Sequence, residues 1–218
     1  MMMRRYLSLE DLPAVLPVFP LTGAVLLPRG ELPLNIFEPR YLAMIETALG
    51  GDRLIGMIQP VQHEDSVLTP ALSRVGCAGR ITGFRETDDG RNLVTLTGIC
   101  RFTAAEELAV TTPFRQIRPD YAPFLGDLVA DSASDFPRDR LLVALKSYLS
   151  QRDLKADWRS VMSAPPETLV NALALLCPFQ PAEKQALVEA PGWLERVDTL
   201  VTLLEMSAAS QTENKTLN

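Results

Sequence analysis

Leu32-Pro33-Leu34-Asn35-Ile36-Phe37-Glu38-Pro39-Arg40-Tyr41-Leu42-Ala43-Met44-Ile45-Glu46-Thr47-Ala48-Leu49-Gly50-Gly51 is where the chain changes period, and that change decides the fold. Leu32 to Phe37 reads as a short extended run. Pro33 cannot donate a ladder hydrogen bond, so its hydrogen-bonding side belongs at a sheet edge or a bulge. From Pro39 the apolar residues Tyr41, Met44, Ile45, Ala48 and Leu49 fall at i, i+3, i+4, i+7 and i+8, the stripe of a helix lying on a core. Pro39 suits the first helical turn, Glu38 complements its positive end, and Gly50-Gly51 can end it. Phe37 and Tyr41 are expected to anchor this helix in the core, with Glu38 and Arg40 fixing the strand-to-helix turn.

Around this pivot the first part of the chain reads as short strands. Val15 to Phe19 and Val25-Leu26-Leu27 precede it, broken by Pro20 and Gly23; Leu54 to Ile58 follows as a strand buried on both faces. Val75 to Phe84 carries Gly76, Gly79 and Gly83 among Val, Cys and Ile, which predicts a strand bent by bulges at a barrel corner. Asp88-Asp89-Gly90 makes a hairpin turn into Leu93 to Ile99, and Phe114 to Arg118 is the last strand candidate. Composition then shifts to Asp, Ala, Ser, Gly and Pro, and beyond it the apolar residues recur at helical spacing. Leu141, Leu142, Leu145, Tyr148 and Leu149 share one face, as do Leu169, Ala172, Leu173 and Leu176, and then Leu194, Val197, Leu200, Val201 and Leu204. The expected organisation is a β lobe over 1–118, a linker over 119–135, a helical subdomain over 136–207 and a disordered tail over 208–218.

Charge and cysteine usage narrow the chemistry. A net charge of -6 works against nucleic-acid binding, because affinity for phosphates comes mainly from Lys and Arg. The exception would be a local cluster, for which Arg74, Arg80, Arg85, Arg91 and Arg101 are the candidates. Cys77, Cys100 and Cys177 are odd in number and far apart, which argues against a disulfide framework; with one histidine, His63, and no Cys-x-x-Cys pair, no metal site is expected. No apolar run reaches the roughly 20 residues of a bilayer span, so no membrane contact is expected and the reading is cytoplasmic. Lys146, Lys155, Lys184 and Lys215 are the only lysines, and none follows a glycine as a phosphate-binding loop requires. His63 lies in a polar stretch beside Glu64 and Asp65, and Cys77 and Cys100 sit in apolar strands. None of these forms a catalytic arrangement, and no enzyme activity or cofactor is expected.

Three segments together resemble the N-terminal, substrate-binding domain family of Lon proteases. They are Leu16-Pro17-Val18-Phe19-Pro20-Leu21, Val25-Leu26-Leu27-Pro28-Arg29-Gly30, and Leu32 through Tyr41. Downstream, Val75-Gly76-Cys77-Ala78-Gly79-Arg80-Ile81 and Gly98-Ile99-Cys100-Arg101-Phe102 are similar to that family's later strands. The resemblance covers the β lobe almost throughout and the helical part more loosely. It implies an α+β fold, a PUA-like β pseudo-barrel with one helix followed by a C-terminal helical bundle, here without ATPase or Ser-Lys peptidase domains. It implies a stand-alone protein- or peptide-binding module for unfolded or hydrophobic protein segments, or an adaptor of a full-length Lon protease, with RNA binding through the PUA-like fold as a rival. Leu27, Pro28, Arg29 and Phe37 are the peptide-contact candidates, and Glu38, Arg40, Tyr41 and Arg101 the structural motif residues.

Overall fold

Residues 6–61, 70–129 and 136–216 are described by a computed structural model, and the chain divides into two units, residues 1–130 and 131–218. His63 lies outside the described residues. In the first unit β1 (Leu16–Pro20), β2 (Glu31–Ile36), α1 (Pro39–Gly50), β3 (Leu54–Ile58), β4 (Val75–Glu86), β5 (Asn92–Glu107) and β6 (Gln116–Asp120) follow one another. The sheet order is β2-β5-β4-β3-β1-β6, and a further pairing of β5 with β6 closes the last five strands into a barrel. β2 is left on the outside of β5, so Pro33 does sit on an edge strand.

Closure depends on β5. Its sixteen residues pair with β2 over Asn92 to Thr97, with β4 over Asn92 to Thr103, and with β6 over Thr103 to Glu107. A strand that long must bend, and register shifts at Ala78/Gly79, Ile81/Gly83 and Ala104/Glu106 supply the bends. The barrel interior is Leu16, Val18, Leu54, Ile58, Ala78, Cys100, Phe102, Ile117 and Tyr121. Gly76 makes room for it: a Cβ there would fall 2.6 Å from both the Met57 carbonyl oxygen and Phe102 Cζ.

α1 buries Tyr41, Met44, Ile45 and Ala48, and the Tyr41 ring lies 4.2 Å from that of Phe19. The helix ends at Gly50, yet the left-handed residue after it is Arg53 (φ 60°), whose N–H returns to the Ala48 carbonyl at 2.9 Å. Three expectations need correcting in this part of the chain. Val25 to Leu27 is no strand but a buried irregular segment. Phe37 is 63% exposed instead of anchoring α1, because β2 ends at Ile36 and the chain turns outward before the helix. The stretch expected to be a linker starts inside β6, which runs on to Asp120, and continues as a packed 3-10 segment, Ala122–Leu128.

The second unit consists of α2 (Arg138–Gln151), α3 (Trp158–Ser163), α4 (Pro166–Leu176), α5 (Pro181–Glu189) and α6 (Trp193–Thr216). α6 packs on α2, α4 and α5, and Val197, Leu200, Val201 and Leu204 are fully buried along it. The helix continues to Thr216, past residue 208 where a tail was expected; Ala, Ser, Gln and Glu extend an established helix at little cost.

Candidate binding sites

The first motif residues to place are Leu27, Pro28 and Arg29, and they dock on β5 instead of facing solvent. Arg29 adopts a left-handed conformation (φ 60°), its N–H donates to the Gly98 carbonyl at 2.8 Å, and the Gly98 N–H donates to the Gly30 carbonyl at 2.9 Å. Leu27 is 3% exposed and Pro28 is buried. Gly98 is required there because a Cβ would run into the Leu27 carbonyl oxygen. Phe37 lies beyond the far end of β2, some 20 Å from Gly30 at roughly 3.3 Å per strand residue. The four contact candidates therefore do not form one surface.

Arg101 and Arg29 meet at a residue the sequence reading left in the linker. Arg101 is 3% exposed; its Nε and Nη2 each donate to the Asp127 carboxylate at 2.9 Å, its own N–H donates to the same group at 3.0 Å, and the guanidinium stacks 4.6 Å from the Phe124 ring. Arg29 Nη1 donates to the Asp127 carbonyl at 2.5 Å. The signal for such a partner was Arg101 itself, since a guanidinium flanked by barrel residues needs a carboxylate. Glu38 and Arg40 pair at 2.8 Å on the surface, with the Arg40 guanidinium over the Tyr41 ring. Among the arginines an RNA site would need, Arg101 is thus buried and Arg91 is paired with Asp89 at 2.9 Å.

Two open hollows in the first unit share Phe84, which is 41% exposed. One, of about 470 Å³, lies over Pro33, Asn35, Leu93 and Thr95; the other, of about 590 Å³, lies between Leu42, Glu46 and Leu49 of α1 and the β4–β5 hairpin. A smaller cleft holds Arg40 and Arg115, but Arg115 is held by Glu107 at 2.6 Å and by the Pro70 carbonyl at 2.8 Å.

The helical unit carries the more apolar groove, of about 430 Å³, framed by α2, α3 and α4. Leu145, Tyr148 and Leu149 line it from α2, Val161 from α3, and Leu169 and Leu173 from α4. All of these but Val161 are stripe residues the helical spacing already marked, and part of the lining is left uncovered: Leu176 is 76% exposed and Leu154, in the segment after α2, 45%. Lys155 and Asp157 are the charged residues of the lining, and the Asp157 carboxylate is engaged by the Arg159 and Ser160 N–H groups that start α3. Spacing identifies residues that avoid water, not what covers them.

Among the described residues no group of His, Cys, Asp or Glu could hold a metal ion, and no helix is long and apolar enough to cross a membrane. Burial, and secondarily the Asp127 charge, pushes the Cys100 thiol up to about 12; burial pushes Cys177 up to about 11. The thiolate fraction of Cys100 is then roughly one in ten thousand at about pH 8. Ellman's reagent is expected to find no thiol in the native protein and all three cysteines after denaturant is added. A rapid native reaction would contradict this burial.

Comparison with known proteins agrees with this architecture. The family model for the ATP-dependent protease La (LON) substrate-binding domain matches residues 15–206. The Lon protease of Flavobacterium johnsoniae is 29% identical over 93% of the chain and 25% of that protein, and Lon protease 2 of Myxococcus xanthus is 30% identical over 51% and 13%. The chain thus spans a quarter or less of the length of these relatives. The crystal structure of a Lon N-terminal domain protein from Xanthomonas campestris superposes with a TM-score of 0.57 at 23% identity, covering 86% of this chain and 97% of that one, which bears on the fold. With a helix-bearing barrel, a following set of helices and a family match across both units, the chain belongs to the LON substrate-binding domain family.

Proposed function

We propose that this chain binds apolar, unfolded segments of protein substrates without cleaving them, and that the groove of its helical unit is the principal seat for their side chains. The observation that carries this reading is the uncovered apolar lining between α2, α3 and α4. Sites for flexible ligands are concave and mostly apolar with few polar groups, and this groove fits that description better than the hollows around Phe84, which include Arg85, Glu46 and Glu86. Leaving Leu154, Leu173 and Leu176 partly in water costs the free protein apolar burial, which an incoming Leu or Phe side chain restores. Phe37 and Phe84, both exposed, are the proposed further contacts on the β unit. The buried cysteines bring no nucleophile to either surface.

Titration of a labelled, permanently unfolded protein, followed by fluorescence anisotropy, tests the assignment. Micromolar dissociation, on the order of -8 kcal/mol, is expected for the unaltered chain. Leu173→Asp, which puts a charge into the lining, and Ala172→Trp, which fills it, are each expected to weaken binding by about tenfold or more. Both variants should retain native circular dichroism. Equal affinity in both folded variants, or no binding at tens of micromolar by the unaltered chain, would defeat the proposal.

A further inference from the structure

The trough between α1 and the β4–β5 hairpin combines an apolar floor with a rim of one charge sign. Its floor is Leu42, Ala43 and Leu49 of α1, all half-buried, together with the exposed ring of Phe84. Glu46 and Glu86 stand on the two walls, both exposed, and neither has a hydrogen bond or ion pair among the described residues. Among those residues no Arg or Lys lines the trough. Arg91 of the hairpin is paired with Asp89 at 2.9 Å, and Arg85, next to Phe84 in β4, lies on the other face of the strand. Resting on the reading of the chain as a binder of unfolded segments, but on the unit that does not carry the helical groove, we propose that this trough is a second docking site. Its occupant is a cationic apolar segment, an extended stretch in which Lys or Arg alternates with Leu or Phe.

Charge and spacing select that occupant. On β4, Phe84 and Glu86 are two residues apart, so their side chains leave the same face about 7 Å from each other. On α1, Leu42, Glu46 and Leu49 fall at i, i+4 and i+7, which again sets a carboxylate between apolar neighbours. An extended segment repeats on the same two-residue interval, so it can lay an apolar side chain beside Phe84 while the next side chain on that face reaches Glu86. Lys and Arg suit both parts of the trough, because the methylene stem covers apolar surface while the charged head stays at the wet rim. Burial of the Phe84 ring supplies the attraction and the carboxylates supply the selection, since exposed ion pairs contribute little affinity by themselves. The net charge of -6 acts in the same direction, drawing cationic chains in and holding acidic ones off.

Labelled Leu-rich peptides that differ only in carrying Lys, Gln or Glu at alternate positions are the probes. The unaltered chain is expected to bind the Lys peptide about fivefold more tightly than the Gln peptide and the Glu peptide most weakly, the preference shrinking as salt rises. Glu46→Lys/Glu86→Lys should reverse that order, favouring the Glu peptide, while Tm stays native because both carboxylates are exposed. With the helical groove filled by Ala172→Trp, the preference for Lys should persist. Equal affinity for the Lys and Gln peptides, or a preference that survives the double reversal, overturns the inference while leaving the groove reading intact. Loss of the preference in Ala172→Trp also overturns it, placing the basic residues at the helical groove instead. Absence of binding of every peptide by the unaltered chain overturns both readings. Self-association of the unaltered chain in sedimentation, abolished by Glu46→Lys/Glu86→Lys, would reassign the trough to a second copy.

Discussion

Gly98→Ala is expected to destabilise the β unit by about 4 kcal/mol or more, a size few single substitutions reach, because here backbone must move. The added methyl has nowhere to go: it lands on the carbonyl oxygen of Leu27, with Leu26 Cγ 3.3 Å away, and a carbonyl cannot rotate aside as a flexible side chain would. Relieving the overlap lifts the Leu27–Gly30 loop from β5 and breaks the two backbone bonds that Arg29 and Gly30 make with Gly98. Total stabilities of domains this size are about 5 to 15 kcal/mol, so the variant sits near the threshold of folding. Urea unfolding read by the methyl resonances of Leu96 and Phe102's neighbours would follow the β unit, while fluorescence of Trp158 and Trp193 reports on the helical one. Gly50→Ala, where a Cβ meets nothing within 4 Å, is the control. If both substitutions cost the same small amount, the close approach of Leu27 is wrong.

Asp127→Ala is the second large effect, expected at about 3 to 5 kcal/mol, because it strands the Arg101 guanidinium in the protein interior. Three donors lose their acceptor at once, and the 3-10 segment keeps its backbone tie to Arg29 and the hydrogen bond that the Cys100 thiol donates to the Phe124 carbonyl at 3.4 Å. Arg101→Met in the same chain should recover most of the loss, since an apolar pair of similar volume removes the stranded charge. Denaturant midpoints of the two single variants and the double variant form the test: a double variant no better than Asp127→Ala would mean that the ion pair contributes more than mutual neutralisation.

Much of this architecture is legible in the sequence, for local reasons. α1 is set by a stripe of which Tyr41, Met44, Ile45 and Ala48 are buried and Leu49 is half-buried, by Pro39 at its start and by a glycine at its end. The bent β4 is readable because Gly79 and Gly83 sit where the register shifts. Val25 to Leu27 misleads because a short apolar run is the same whether it pairs in a sheet or packs as irregular chain. Asp127 is hidden for a different reason: its partner is 26 positions away, and its neighbours Gly126 and Pro123 have the composition of a connector. The groove is the least readable, since Leu149, Leu173 and Leu176 carry the same helical signal as residues that are fully covered. Sequence periodicity reports apolarity; only assembly of the helices shows where the cover is incomplete.

The pairing of Leu16 with Ile117 makes the barrel's first strand wait for its last. On a translating ribosome, Leu16–Pro20 emerges while Gln116–Asp120 is still unsynthesised, and β5, the strand that joins the two ends, comes late as well. The nascent lobe therefore passes through an interval in which an apolar strand stays open to solvent until the closing strands have been made.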